Sequence, residues 1–171
     1  QVVRLPAPPP GGELARHPAD AYEGAGGGVA EFRGSLPAAD LIVDALFGIG
    51  LARAPDDATA ALIDAVNQAS VPVFSLDVPS GLDADRGSAP GRVVQATRTL
   101  QFIVEHAGLR TGAALDHVGA LSVATLEVAP ALIEATPVHA RMLLPADLPA
   151  WFGTRPRNAH KGMFGHVLCV G

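Results

Sequence analysis

A chain of 171 residues suits one domain of ordinary size and leaves little room for a second complete one. Hydrophobic residues make up 49% and aromatics only 5%, which argues against disorder over most of the length and leaves Val, Leu, Ile and Ala to build the core. The net charge of −5, from 12 basic and 17 acidic residues with Lys161 the one lysine, gives no basic footprint for nucleic acid, and no apolar run is long enough for a membrane helix.

In chain order, Val2 to Leu5 reads as the tail of a strand, and the proline- and glycine-rich stretch of residues 6–12 reads as a stiff connection. Residues 13–22 suit a short helix interrupted by Pro18 and ended by the Gly26-Gly27-Gly28 run, with a weak strand following near Val29 to Phe32. The aliphatic run from Ala39 to Phe47 is expected to be a buried central strand, because strands covered on both faces lose their alternation. Ala61, Leu62, Ala65, Val66 and Ala69 then recur at helical spacing, which predicts a helix over residues 57–69 capped by Asp56 or Asp57.

Residues 71–76 form the next expected strand, with Pro72 tolerable only near its start. A Gly/Asp-rich loop over residues 81–91 leads to two more strand candidates, 96–104 and 120–128. Strand, helix, strand around Asp44 and Asp77 is a βαβ unit with parallel strands, so the expected fold is an α/β, Rossmann-like three-layer sandwich with a mostly parallel, partial sheet. Residues 131–159, broken by Pro137, Pro145, Pro149 and Pro156, read as a linker, and residues 160–171 as a loop entering a new strand in which Cys169 is a buried small hydrophobe. A start at Gln1 rather than Met and a stop straight after an apolar run make the chain read as a fragment.

Asp44 and Asp77 both fall at the carboxyl ends of expected neighbouring strands. Ligands of open α/β sheets bind in the crevice beyond those ends, so the two carboxylates are candidates to face one ligand or ion; capping of loops or helices is the competing role. Gly48-Ile49-Gly50-Leu51-Ala52-Arg53-Ala54 joins the first of these strands to its helix. Glycines there let a ligand approach the backbone, and N–H groups leading into a helix favour anions, although a tight turn explains the glycines equally well. The dinucleotide fingerprint is broken, since Arg53 stands where its third glycine belongs. Ser80 lies on a bend after Asp77 with no base nearby in sequence, which favours an ion, ligand or turn role over a nucleophile. Hard oxygen ligands from Asp44 and Ser80 suit an alkali or alkaline-earth cation; the scattered histidines, without Cys-x-x-Cys or His-x-x-x-His company, offer little to a transition metal.

The segments Asp40-Leu-Ile-Val-Asp-Ala-Leu-Phe-Gly-Ile-Gly-Leu-Ala-Arg53 and Val73-Phe-Ser-Leu-Asp-Val-Pro-Ser-Gly-Leu-Asp-Ala-Asp-Arg-Gly87, continued by Thr99 to Gly112 and Gly119 to Ala124, resemble the YjeF N-terminal domain, the NAD(P)H-hydrate epimerase family, over residues 1–130. Residues 160–171 resemble the opening of an ADP/ATP-dependent NAD(P)H-hydrate dehydratase domain of ribokinase-like fold, an order found in bifunctional NAD(P)H-hydrate repair enzymes.

The resemblance implies K+ ligands at Asp44 and Ser80, a substrate-contacting loop at Gly48 to Ala54, and a substrate-contacting, acid–base aspartate at Asp77. It also implies a small-molecule substrate, NAD(P)HX; a homo-oligomer; and, for the dehydratase part, ADP or ATP with Mg2+ bound past Gly171. A cytoplasmic setting is the default expectation, because the lone Cys169 can form no internal disulfide and nothing argues for export. Two departures stand out: the family's Asn/Gly-rich loop would precede Gln1, and His106-Ala107 stands where many members have lysine and proline. Competing readings are a non-catalytic Rossmann-like nucleotide-binding module and a different nucleotide-using α/β enzyme such as a kinase or dehydrogenase.

Overall fold

The computed structural model describes residues 1–6, 13–51, 53–138, 140–151, 156–166 and 168–169. Residues 1–136 form one compact unit and residues 137–171 a second, small one. The first unit holds strand β1 (Val2–Arg4), helix α1 (Glu13–Gly24), β2 (Val29–Glu31), β3 (Ile42–Asp44), α2 (Asp57–Gln68), β4 (Val73–Leu76), β5 (Arg98–Phe102), β6 (Ala120–Ala124) and the short α3 (Pro130–Glu134). All described strand pairs are parallel: β1 with β2, and β3-β4-β5-β6 as a four-stranded sheet. This is the mixed α/β architecture with parallel sheets expected from the sequence.

Helix α1 runs through Pro18 rather than breaking there. Proline removes one i→i−4 hydrogen bond, a tolerable loss where the described side chains from Pro18 to Gly24 face solvent. The chain turns out of the helix at Gly26, whose φ of 86° lies in the left-handed region.

Helix α2 starts where Asp56 caps it: the carboxylate accepts from the Thr59 N–H at 2.9 Å. Hydrogen bonds from Thr59 hold the Asp56 carboxyl below its usual range, with Arg53 adding a smaller push in the same direction. The buried face of α2 is Thr59, Leu62, Ile63 and Val66, with Ala61 exposed, so the face lies one position round from the one read off the alanines. Small alanines carry little apolar area, and the larger Ile63 decides which side faces inward.

β3 also differs from expectation. Three residues rather than nine are paired, and among the described residues β3 is an edge of the four-stranded sheet, with Val43 53% exposed. With no described strand on its outer side, the aliphatic run has nothing to cover that position.

Two apolar clusters make up the core. One joins Phe32, Leu62, Ile63, Val66, Val73 and Val94; the other joins Val78, Leu82, Ala84, Val93, Leu109, Ala114 and Val118. The second is built mostly from the loops leaving β4 and from the two 3-10 turns, Ala107–Arg110 and Gly112–Asp116, that follow β5. It therefore braces the carboxyl end of the sheet.

The second unit, described by itself, contains 3-10 turns at Pro145–Asp147 and Lys161–Met163 and the short helix α4 (Leu148–Trp151). No strand occupies its described residues near the C-terminus; Val167, Val170 and Gly171 lie outside them. Cys169 is exposed, against the expectation of burial, and Leu168 beside it is 87% exposed. A strand needs a partner to hydrogen-bond, and the described part of this unit offers none.

Candidate functional site at the strand ends

β3 ends on Asp44, and the parallel register sets it opposite Ser75 of β4. Asp44 is only 3% exposed, and its carboxylate is fully engaged. Oδ1 accepts from Ser80 Oγ at 2.6 Å and from the Leu46 N–H at 3.4 Å. Oδ2 accepts from Ser75 Oγ at 2.9 Å and from the Ser80 N–H at 2.8 Å. Ser80, wholly buried, in turn accepts from the Phe47 N–H at 3.0 Å. These bonds tie the loop after β3 to the loop after β4, in a buried place where an unmet polar group would be costly. Asp44 and Ser80 are thus brought together as the sequence suggested. Ser75 was not foreseen: only the strand register reveals it.

Asp77 follows β4 directly and does not share Asp44's cluster of bonds. Its φ of 69° places a non-glycine residue in the left-handed region. The Val78 N–H reaches back to the Leu76 carbonyl at 2.9 Å, so the chain makes a three-residue γ-turn centred on Asp77. The Asp77 N–H is held by the Leu100 carbonyl of β5 at 2.7 Å.

β5 ends in the same manner: Ile103 has a φ of 68°, and the Val104 N–H bonds to the Phe102 carbonyl at 2.8 Å. Adjacent strands therefore both leave the sheet through strained turns. Such strain clusters at binding and catalytic sites because surrounding structure must hold it in place.

The Asp77 side chain lies mostly buried over the loop after β3. A Cβ at Gly48 would stand 2.8 Å from Asp77 Oδ2, so glycine at 48 is what admits the carboxylate. Beyond Gly48, Ile49, Gly50, Arg53 and Ala54 are exposed and Leu51 is partly so; Ala52 lies outside the described residues. Gly50 has open space around it, so no close approach explains that glycine.

On the other side stands His106. Its Nε2 is 3.5 Å from Asp77 Oδ1, with both side chains about four-fifths buried. The alignment is too poor for a hydrogen bond, and Nε2 is buried without a partner, as is the Nε2 of fully buried Gln101. Gln101 Oε1 accepts the His106 backbone N–H at 2.7 Å and fixes that part of the chain. His106 was legible only as a departure from a family pattern. Its place against Asp77 depends on how the chain after β5 folds back.

The arrangement offers a mostly buried carboxylate flanked by an imidazole at the open end of a parallel sheet, a setting for moving a proton on a small molecule. Among the described residues no helix is long and apolar enough to cross a membrane.

Residues 1–108 match the family described as YjeF-related protein N-terminus. Over 132 residues the chain is 36% identical to the "Bifunctional NAD(P)H-hydrate repair enzyme Nnr" of Escherichia coli (strain K12), covering 77% of this chain and 25% of the relative. It is 52% identical over 89 residues to the "NAD(P)H-hydrate epimerase" of Achromobacter xylosoxidans (strain A8), covering 52% of this chain and 43% of the relative. With the epimerase of Bordetella pertussis (strain CS) it shares 44% identity over 141 residues, covering 77% of this chain and 60% of the relative. The chain spans about a quarter of the length of the bifunctional relatives. The family match runs over the part of the chain that builds the Asp44–Ser80 knot and carries Asp77, and it establishes that this chain belongs to the YjeF-related N-terminal family.

Proposed function

We propose that this chain serves the repair of damaged nicotinamide cofactors by interconverting the R and S forms of NAD(P)HX, as the epimerase part of a bifunctional epimerase and ADP-dependent dehydratase. The observation that carries the reading is Asp77: a mostly buried carboxylate held out beyond the sheet by a strained turn, over a glycine that makes room for it. The hydrated ring carbon bears both nitrogen and oxygen. Moving the hydroxyl proton opens a route through a planar carbon, which can close again from either face. A carboxylate within hydrogen-bond reach is the group that assists such a step. The relatives named as NAD(P)H-hydrate epimerases support the same activity. In the intact protein, R- and S-NADHX should equilibrate, and Asp77→Asn should lower kcat by about 10²–10⁴-fold with unchanged circular dichroism. Full activity in that variant would remove Asp77 from the mechanism.

The substrate loop in this reading is Gly48, Ile49, Gly50, Leu51, Ala52, Arg53 and Ala54, with Arg53 available to an anionic group. Potassium is assigned to Asp44 and Ser80, whose oxygen-only donor set suits a hard cation. All the carboxylate's positions are already met by protein donors, so the ion would take over the contact that the Ser80 hydroxyl now makes rather than fill an idle one. Its chemistry would be to balance the buried carboxylate and fix the two loops. Potassium should therefore raise the melting temperature of the intact protein as its concentration rises, by mass action, while sodium does so less. A protein whose melting and activity both ignore potassium would lose this assignment.

Residues 160–171 are assigned to the start of the dehydratase domain, and residues 131–159 to the linker; no residue of this chain is assigned to ADP, ATP or Mg2+. A cytoplasmic, homo-oligomeric protein completes the reading. The competing reading, a nucleotide-binding module without turnover, is favoured by the exposure of the loop after Gly48, which leaves the described site open on that side. Binding of NADHX without interconversion would decide for it.

A further inference from the structure

The Nε2 of His106, buried without a partner 3.5 Å from Asp77 Oδ1, has no role in the proposed function. Its position is not set by Asp77. The His106 backbone N–H is held by Gln101 at 2.7 Å, and its carbonyl accepts from the Leu109 N–H at 3.1 Å, so the ring is delivered by the chain that leaves β5. Among the described residues, few titratable groups approach it. Asp77 faces it from the end of β4 at 3.5 Å. Glu105, its neighbour, is engaged by Arg110 at 3.0 and 3.1 Å on the exposed side. A buried nitrogen with no partner, next to a carboxylate that also lacks a hydrogen bond to it, marks a gap that a third polar group closes.

We infer that His106 is a second catalytic residue of this site, acting as the proton donor that complements Asp77 as acceptor. This rests on the epimerase reading and names the residue on which the other half of the reaction depends. Oxygen and nitrogen on one tetrahedral carbon lie about 2.4 Å apart, from ordinary single-bond lengths and angles. An acceptor and a donor 3.5 Å apart can therefore reach both at once.

In the forward step, Asp77 takes the hydroxyl proton and the carbon–oxygen bond becomes a carbonyl. The carbon–nitrogen bond breaks with its electron pair going to nitrogen, which receives the proton from His106 Nε2. Rotation presents the other face of the carbonyl; the reverse transfers then close the ring and return each proton to its owner. No oxidant, reductant or further reactant is needed.

A general acid must hold its proton to act, so an essential acid in this site gives kcat an alkaline limb. In the intact protein, His106→Gln should lower kcat about 100-fold, move KM little and erase that alkaline limb. His106→Lys keeps a donor that loses its proton only near about pH 10.4, and should recover part of kcat with the limb moved upward. A structural role alone would move stability but not the limb. If the wild-type protein interconverts the epimers and His106→Gln matches it in kcat and pH profile, the inference is overturned while the epimerase reading stands. If the wild-type protein does not interconvert them at all, the epimerase reading falls and takes the inference with it.

Discussion

At the scale of single residues, the two aspartates have opposite surroundings. Asp44 gives both oxygens to buried protein donors, and each hydrogen bond to such a group contributes about 1.5–3 kcal/mol, so Asp44 holds loops together whatever else it binds. Asp77 keeps its oxygens toward Gly48 and His106, where no donor satisfies them in the described structure beyond the distant imidazole. Gly48 tests this division. In Gly48→Ala the new methyl would meet Asp77 Oδ2, the far end of a side chain that can swing away, so the fold should survive while the carboxylate is displaced. Misplacement on this scale costs about 100-fold in rate, and kcat/KM of Gly48→Ala should drop accordingly with little change in urea midpoint. A variant as active as the wild type would show that Asp77's present position is not the working one.

Helix α2 shows at the scale of elements what a sequence can and cannot convey. Its extent and its Asp56 cap follow from local chemistry, since an aspartate before a run of apolar residues at helical spacing is sufficient. Its inward face does not follow, because alanine fits either side and the neighbours choose. Ile63, completely buried among Leu62, Val66, Phe32 and Val73, is the residue that decides. Ile63→Ala should cost about 2–5 kcal/mol in chemical denaturation, through lost burial and a cavity, whereas Ala61→Ser on the exposed side should stay within about 0.5 kcal/mol. Equal costs at the two positions would mean the helix is rotated from the face described. The strands divide in the same way. β4, β5 and β6 fall within the expected segments, but β3 shortens to three paired residues at a sheet edge, a matter of which neighbour is present rather than of local pattern.

For the molecule as a whole, the parallel α/β architecture was legible because aliphatic runs separated by an amphipathic helix admit few other solutions. So was the meeting of the Asp44 and Asp77 segments at the carboxyl ends of neighbouring strands, where the candidate site lies. What stayed hidden depends on distance along the chain. Ser75 meets Asp44 through register, Gly48 meets Asp77 through a loop crossing over, and His106 meets Asp77 through the fold of residues after β5. The C-terminal apolar string misled because hydrophobicity marks a wish for burial, and burial needs a partner surface that the described second unit does not supply.

The left-handed backbone at position 77 bears finally on how such a protein can change by descent. Few L-residues tolerate a φ of 69°; aspartate and asparagine bear it with less strain than most, and glycine adopts it freely. The replacements that the backbone accepts most readily are therefore ones that delete the carboxylate and leave the chain folded. On the role proposed for Asp77, one such change would convert a working site into a silent binding site without passing through an unstable ancestor, and the step from enzyme to mere binder would run through a single side chain.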